Sequence, residues 1–134
     1  MAAGLAWSPE ERKIRRMTTV YVYQKCSTCR DALKWLDQNG IAHEVKAIRD
    51  TPPTLAELKV ALTARGGDLR KLFNTSGVDY RELGMKDKLP EMIEATALDL
   101  LSKNGNLVKR PFLIEGKKVL LGFKEAEWSE ALEA

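Results

Sequence analysis

The feature that most limits how this chain can fold is the order of segments over residues 20–48. Val20-Tyr21-Val22-Tyr23 is a short run of β-branched and aromatic residues, the composition of a buried strand. Gln24-Lys25-Cys26-Ser27-Thr28 interrupts it. Ser27 or Thr28 can then cap a helix that carries Ala32, Leu33, Trp35 and Leu36 on or near one face and runs to about Gln38, where Asn39-Gly40 stops it. His43 to Ile48 alternates polar and apolar residues, as a second strand does. Two short strands joined by a crossing helix are expected to lie parallel.

Downstream the character changes. Thr51-Pro52-Pro53 breaks the chain, and Thr54-Leu55-Ala56-Glu57 has the spacing of a capping box. Its helix is expected to carry Leu55, Leu58 and Leu62 and to end at Gly66-Gly67. Asp68 caps a short helix with Leu69, Leu72 and Phe73, and another is expected around Val78–Leu83. Pro90 is expected to open a longer one bearing Ile93, Ala97, Leu100 and Leu101. Strands return at Pro111-Phe112-Leu113-Ile114 and Lys118 to Phe123, joined by Glu115-Gly116-Lys117 as a hairpin. Residues 124–133 read as a closing helix with Ala126, Trp128 and Leu132. The order is β-α-β, helices, β-β-α. The expected class is therefore α/β, a thioredoxin-like sandwich with a helical insertion at about residues 54–105, and one domain over residues 18–134.

Length and composition agree with one domain. The chain has 134 residues, of which 44% are hydrophobic and 31% charged. The formal net charge is +3, too small to imply direct nucleic-acid binding. No apolar run approaches the roughly 20 residues of a membrane span. Residues 1–17 hold four basic and two acidic side chains and read as a poorly ordered extension. They lack the apolar stretch of a secretory signal, and Glu10 and Glu11 argue against a transit peptide, so the expected compartment is the cytoplasm.

The chemistry concentrates in Cys26-Ser27-Thr28-Cys29-Arg30, where the first strand hands over to the first helix. First-turn amides of a helix have no internal partner and, with the helix dipole, stabilise an anion placed before them. A cysteine at that point is held partly as thiolate, the form that acts as nucleophile. Lys25 and Arg30 add positive charge nearby. Cys29 lies one helical turn on, in reach of a mixed disulfide on Cys26, so the two can close a disulfide. The chain contains 2 cysteines and 1 histidine, and His43 is far along it, so no intrachain zinc site is expected. Lys109-Arg110-Pro111 precedes a strand at the position where thioredoxin-like folds carry a cis-proline facing the nucleophile loop. Arg110 would there hold an oxyanion and lower the Cys26 pKa. The residues alone fit a basic loop before an edge strand equally well.

From Thr19 to Leu132 the chain resembles the arsenate reductase ArsC family, including its Spx, MgsR and YffB-like relatives. The resemblance rests on Tyr23-Gln24-Lys25-Cys26-Ser27-Thr28-Cys29-Arg30, Asp50-Thr51-Pro52-Pro53-Thr54, Leu72-Phe73-Asn74-Thr75-Ser76-Gly77, Tyr80-Arg81-Glu82-Leu83-Gly84 and Lys109-Arg110-Pro111, in family order. It implies Cys26 as nucleophile, Arg110 as oxyanion-binding arginine and Pro111 as the cis-proline. Ser27, Thr28 and the first-turn amides would stabilise negative charge. It implies no metal or organic cofactor, with glutathione, glutaredoxin or thioredoxin supplying electrons. Two further arginines complete the oxyanion site of the arsenate-reducing members. This chain holds Asn74 and Gly122 there, and neither can replace a bidentate guanidinium. Cys29 forms the pair also seen in the Spx branch, which implies a redox-sensing regulator that binds RNA polymerase as the alternative. Arg65, Arg70, Lys71, Arg81, Lys86 and Lys88, candidates for such a contact, read as a solvated face.

Overall fold

A computed structural model describes residues 18–133; the extension over residues 1–17 lies outside the described residues. The chain order is β1 (Thr19–Val22), α1 (Ser27–Gln38), β2 (Glu44–Ala47), α2 (Leu55–Ala64), α3 (Val78–Glu82), α4 (Met85–Lys88), α5 (Glu94–Lys103), β3 (Phe112–Glu115), β4 (Lys118–Leu121) and α6 (Glu125–Leu132). One-turn 3-10 segments lie at Leu69–Leu72, Leu89–Glu91 and Gly105–Leu107. The four-stranded sheet has the order β2-β1-β3-β4. β1 and β2 are parallel, as their connecting helix requires, with Thr19 opposite Glu44 and Val22 opposite Ala47. The other pairings are antiparallel, Tyr21 facing Phe112 and Phe112 facing Leu121.

Period-two alternation divides the core. Val20 and Val22 point to one face with Leu113 and Leu120, where Ala32, Trp35 and Leu36 of α1 and Trp128 and Leu132 of α6 cover them. Tyr21 points to the other, with Phe112, Ile114 and Val119, beneath the helices that follow β2. Trp128 is fully buried and donates its indole N–H to the Gly122 carbonyl at 3.0 Å. Truncating such a residue to alanine costs about 3–5 kcal/mol.

The capping box is closed in both directions: Glu57 N–H donates to Thr54 Oγ1 at 3.2 Å, and Thr54 N–H donates to Glu57 Oε1 at 2.9 Å. Asp68 caps the next turn through the Arg70 N–H. Elsewhere the structure corrects the sequence reading. The residue capping α1 is Cys26, not Ser27 or Thr28. β2 is Glu44–Ala47 and lies at the sheet edge, with Val45 exposed, so its alternation has no second layer to face. Pro90 sits in a separate 3-10 turn, and α5 begins only at Glu94 with the exposed Ile93 as its N-cap. Leu55 and Ala126 are also exposed; Leu98, not Leu100, is fully buried from α5. α4 had no counterpart in the reading, since four residues after Gly84 carry no period. Gly105 lets its turn meet the end of β2: a Cβ there would lie 1.7 Å from the Ile48 carbonyl oxygen.

Candidate functional site

The loop between β1 and α1 is pinned at both ends. Cys26 N–H donates to the Tyr23 carbonyl at 2.9 Å, and Arg30 N–H donates to the Cys26 carbonyl at 3.1 Å. Cys26 is thereby the N-cap of α1, with extended backbone (φ −91°, ψ 117°), and its sulfur stands where a capping oxygen usually does. That sulfur closes no capping hydrogen bond of ordinary geometry; the nearby N–H groups act on it when it is ionised. Partial burial, the largest single influence, raises the Cys26 pKa. The Cys29 N–H, the Cys29 thiol, the Arg110 guanidinium and the Thr28 N–H together outweigh it and hold the thiol below its ordinary value.

Cys29 behaves oppositely. It has 0% exposure, among Ala32, Trp35 and Leu36. Burial is again the largest influence and here prevails. The Tyr23 N–H and Arg110 favour the Cys29 thiolate, but the Cys26 sulfur opposes it, and the pKa is pushed up to about 12. Cys29 is therefore a protonated donor facing an ionisable acceptor. Both cysteines are free thiols.

The structure places Arg110 at this loop and makes the Arg110–Pro111 bond cis. Pro111 is buried, and its carbonyl accepts the Gly122 N–H at 2.9 Å. Lys25, Ser27, Thr28 and Arg30 have exposed side chains. Arg30 turns back to donate to the Gln24 carbonyl at 3.2 Å. Asn74 is half-buried, with its N–H bound to the Leu107 carbonyl. Gly122 has φ +74°, and the Lys109 side chain lies across its open face, Cε 3.2 Å from where a Cβ would be.

Two residues of this region were missed in the sequence. The Arg110 guanidinium carbon lies 4.9 Å from the Tyr23 ring centroid, and that of Arg49 lies 5.0 Å from it. Arg49 Nη1 also donates to the Tyr23 hydroxyl at 3.0 Å. The signal was present but indirect. Parallel pairing brings the carboxyl ends of β1 and β2 together, and Tyr23 and Arg49 follow those ends, which is where ligands meet such sheets. Behind the cysteine loop a cleft of about 710 Å³ is lined by Tyr23, Cys29, Arg30, Arg49, Asp50 and Lys103, among others.

A sheet of this order, flanked by helices on both faces and carrying two thiols at the first strand-to-helix turn, defines a thioredoxin-like protein. Within that class the chain belongs to the ArsC family, whose model matches residues 21–131. It is 47% identical over 112 residues to the uncharacterized protein YusI of Bacillus subtilis, covering 84% of this chain and 95% of that one. It is 30% identical to the global transcriptional regulator Spx of Enterococcus faecalis, covering 83% of each. The crystal structure of an ArsC-family-related protein from Bacteroides fragilis superposes with a TM-score of 0.81 at 44% identity, covering 87% of this chain and 98% of that one. Among the described residues no helix is long and apolar enough to cross a membrane.

Proposed function

We propose that this chain is a thiol-dependent oxidoreductase in which Cys26 is the nucleophile and Cys29 the resolving thiol. The observation that carries the reading is the pairing of a half-exposed thiol of lowered pKa with a buried one that stays protonated. In the reaction, the Cys26 thiolate attacks one sulfur of a disulfide. The S–S bond breaks and the leaving thiolate takes the electron pair. Cys29 then loses its proton to solvent, attacks the Cys26 sulfur and expels the second thiolate. The substrate gains two electrons and the protein is left with a Cys26–Cys29 disulfide. Glutathione, glutaredoxin or thioredoxin would return it to the dithiol. Arg110 favours the thiolate and meets a substrate anion. Arsenate is a poor fit for this site, because Asn74 and Gly122 offer no guanidinium beside Arg110.

The test is turnover of a small disulfide with each of these reductants. Cys26→Ser should abolish it, and Cys29→Ser should stop at a mixed disulfide on Cys26 visible by intact mass. Undiminished turnover in Cys26→Ser overturns the reading. The second reading is a redox-sensing regulator that binds RNA polymerase. Similarity to Spx proteins over most of this chain favours it. No turnover with any reductant, together with co-purification of polymerase that depends on the thiol state, would establish it instead.

A further inference from the structure

We propose that Tyr23, by holding the Arg110 and Arg49 guanidinium groups against its ring, makes the Cys26 site select disulfides that carry a carboxylate or similar anion. The inference rests on the oxidoreductase reading and adds the class of substrate.

Tyr23 ties the site together through three separate groups. Its carbonyl accepts the Cys26 N–H, its own N–H faces the Cys29 sulfur, and its ring lies under Arg110. An arginine side chain has many rotamers, and a guanidinium over an aromatic face is confined by the ring quadrupole. The Arg49 bond to the Tyr23 hydroxyl fixes the ring edge and brings a second permanent cation to the same place. Among the described residues neither arginine forms an ion pair with a carboxylate. Two cations, with no acid bonded to either, thus meet one ring whose residue anchors the nucleophile loop, and one of them, Arg110, acts on Cys26 itself. The cleft behind the loop continues the pattern: Arg30, Arg49 and Lys103 line it against the single carboxylate Asp50. Lys103 is bonded to Asp99 at 3.0 Å, whereas Arg30 and Arg49 bond to the Gln24 carbonyl and the Tyr23 hydroxyl and keep their charge without a carboxylate partner among the described residues. Such a field favours the approach of an anionic disulfide over a neutral or cationic one, and more so at low salt.

Tyr23 acts here as a positioning residue, so its test must read more than rate. The reduced full-length chain is mixed at low ionic strength with three probes: 5,5′-dithiobis(2-nitrobenzoate), whose halves each bear a carboxylate; neutral 4,4′-dithiodipyridine; and cationic cystamine. Each rate is divided by that of a neutral free thiol under the same conditions. The normalised rates should fall in the order anionic, neutral, cationic. Tyr23→Leu should reduce the anionic-to-neutral ratio by about three- to tenfold, the scale of one cation–π and charge contact. Tyr23→Phe keeps the ring beneath Arg110 and should retain at least about half of the ratio. Arg49→Gln, on an exposed side chain, should lower it as well and serves if Tyr23→Leu does not fold. A normalised ratio of one in the unmodified chain overturns the inference. So does a ratio unchanged in both Tyr23→Leu and Arg49→Gln, or a Tyr23→Phe ratio as low as that of Tyr23→Leu. A Cys26 that fails to react even with the neutral probe overturns the oxidoreductase reading and this inference together. Reaction without charge preference overturns the inference alone.

Discussion

Replacing Cys29 by alanine separates two ways in which that residue acts on Cys26. The main-chain N–H survives the change and continues to favour the Cys26 thiolate; the S–H donor is lost. Hydrogen bonds to charged acceptors contribute about 1.5–3 kcal/mol, and a thiol is a weak donor, so the expected loss of thiolate stabilisation is about 1 kcal/mol. Well below the midpoint this means roughly a fivefold smaller thiolate population. A more basic thiolate is also a better nucleophile. With a Brønsted slope of about 0.4–0.5, reactivity per thiolate rises about twofold. The alkylation rate at one pH therefore falls by only about two- to threefold, whereas the midpoint of the pH–rate profile carries the whole effect. The decisive measurement is that profile for iodoacetamide, followed on the Cys26 peptide by mass spectrometry. Cys29→Ala should have a higher midpoint than the unmodified chain. Cys29→Ser, which keeps a hydroxyl donor, should not. Equal midpoints in the two variants would refute the donor role of the Cys29 side chain. A midpoint in the unmodified chain at or above the ordinary thiol value of about 8.5 would refute the account of the whole loop.

Mild oxidation should close an intramolecular Cys26–Cys29 disulfide; peptide mapping that finds both thiols free removes the resolving role. Gly105→Ala places a methyl 1.7 Å from the Ile48 carbonyl oxygen and should cost about 3 kcal/mol or more, so a urea midpoint like that of the unmodified chain would contradict the close approach. The two thiols should also leave opposite marks on stability. Cys26 has a lowered folded pKa, so its contribution is complete above the unfolded value near 8.5 and is lost as pH falls through the folded value. Cys29 is raised to about 12, so its contribution is complete below about 8.5 and disappears as pH climbs toward 12. Under reducing conditions, urea unfolding should show the unmodified chain gaining on Cys26→Ser as pH rises toward about 8.5. A constant difference across that interval would show that the fold does not favour the Cys26 thiolate.

Local sequence carried most of the frame because several elements are specified by their own residues. The Thr54–Glu57 box and the Gly116 hairpin each satisfy backbone groups within a few positions, and β1 is marked by its own run of β-branched and aromatic residues. The insertion was harder to read because its short helices have no face of their own. α4 has four residues and is held by the burial of Met85, not by periodicity. Ile93 looks like a core residue in a row of apolar spacings, yet it is an N-cap and 69% exposed. Cys26 was legible because a strand run and a helix period meet there. The Tyr23–Arg49–Arg110 group was not, since its members are brought together by parallel register and by a return of the chain some sixty residues later.

The spacing of Cys26 and Cys29 states a pair of chemically equal thiols, and the fold makes them unequal. One stands at the helix N-cap in partial contact with solvent; the other faces the core three residues on. Their opposite pKa shifts depend on each other. If Cys29 were also ionised it would repel the Cys26 thiolate instead of donating to it. The same coupling orders the steps. Burial does most to keep Cys29 protonated, and while Cys26 is a thiolate its hydrogen bond and its charge add to that. Once Cys26 is held in a mixed disulfide, both contributions of Cys26 are gone; burial still opposes ionisation, and the Tyr23 N–H and the Arg110 charge favour it. In the proposed reaction Cys29 would thus become more acidic only after Cys26 has reacted, so that attack by Cys26 and closure by Cys29 would follow in sequence with no further group to time them.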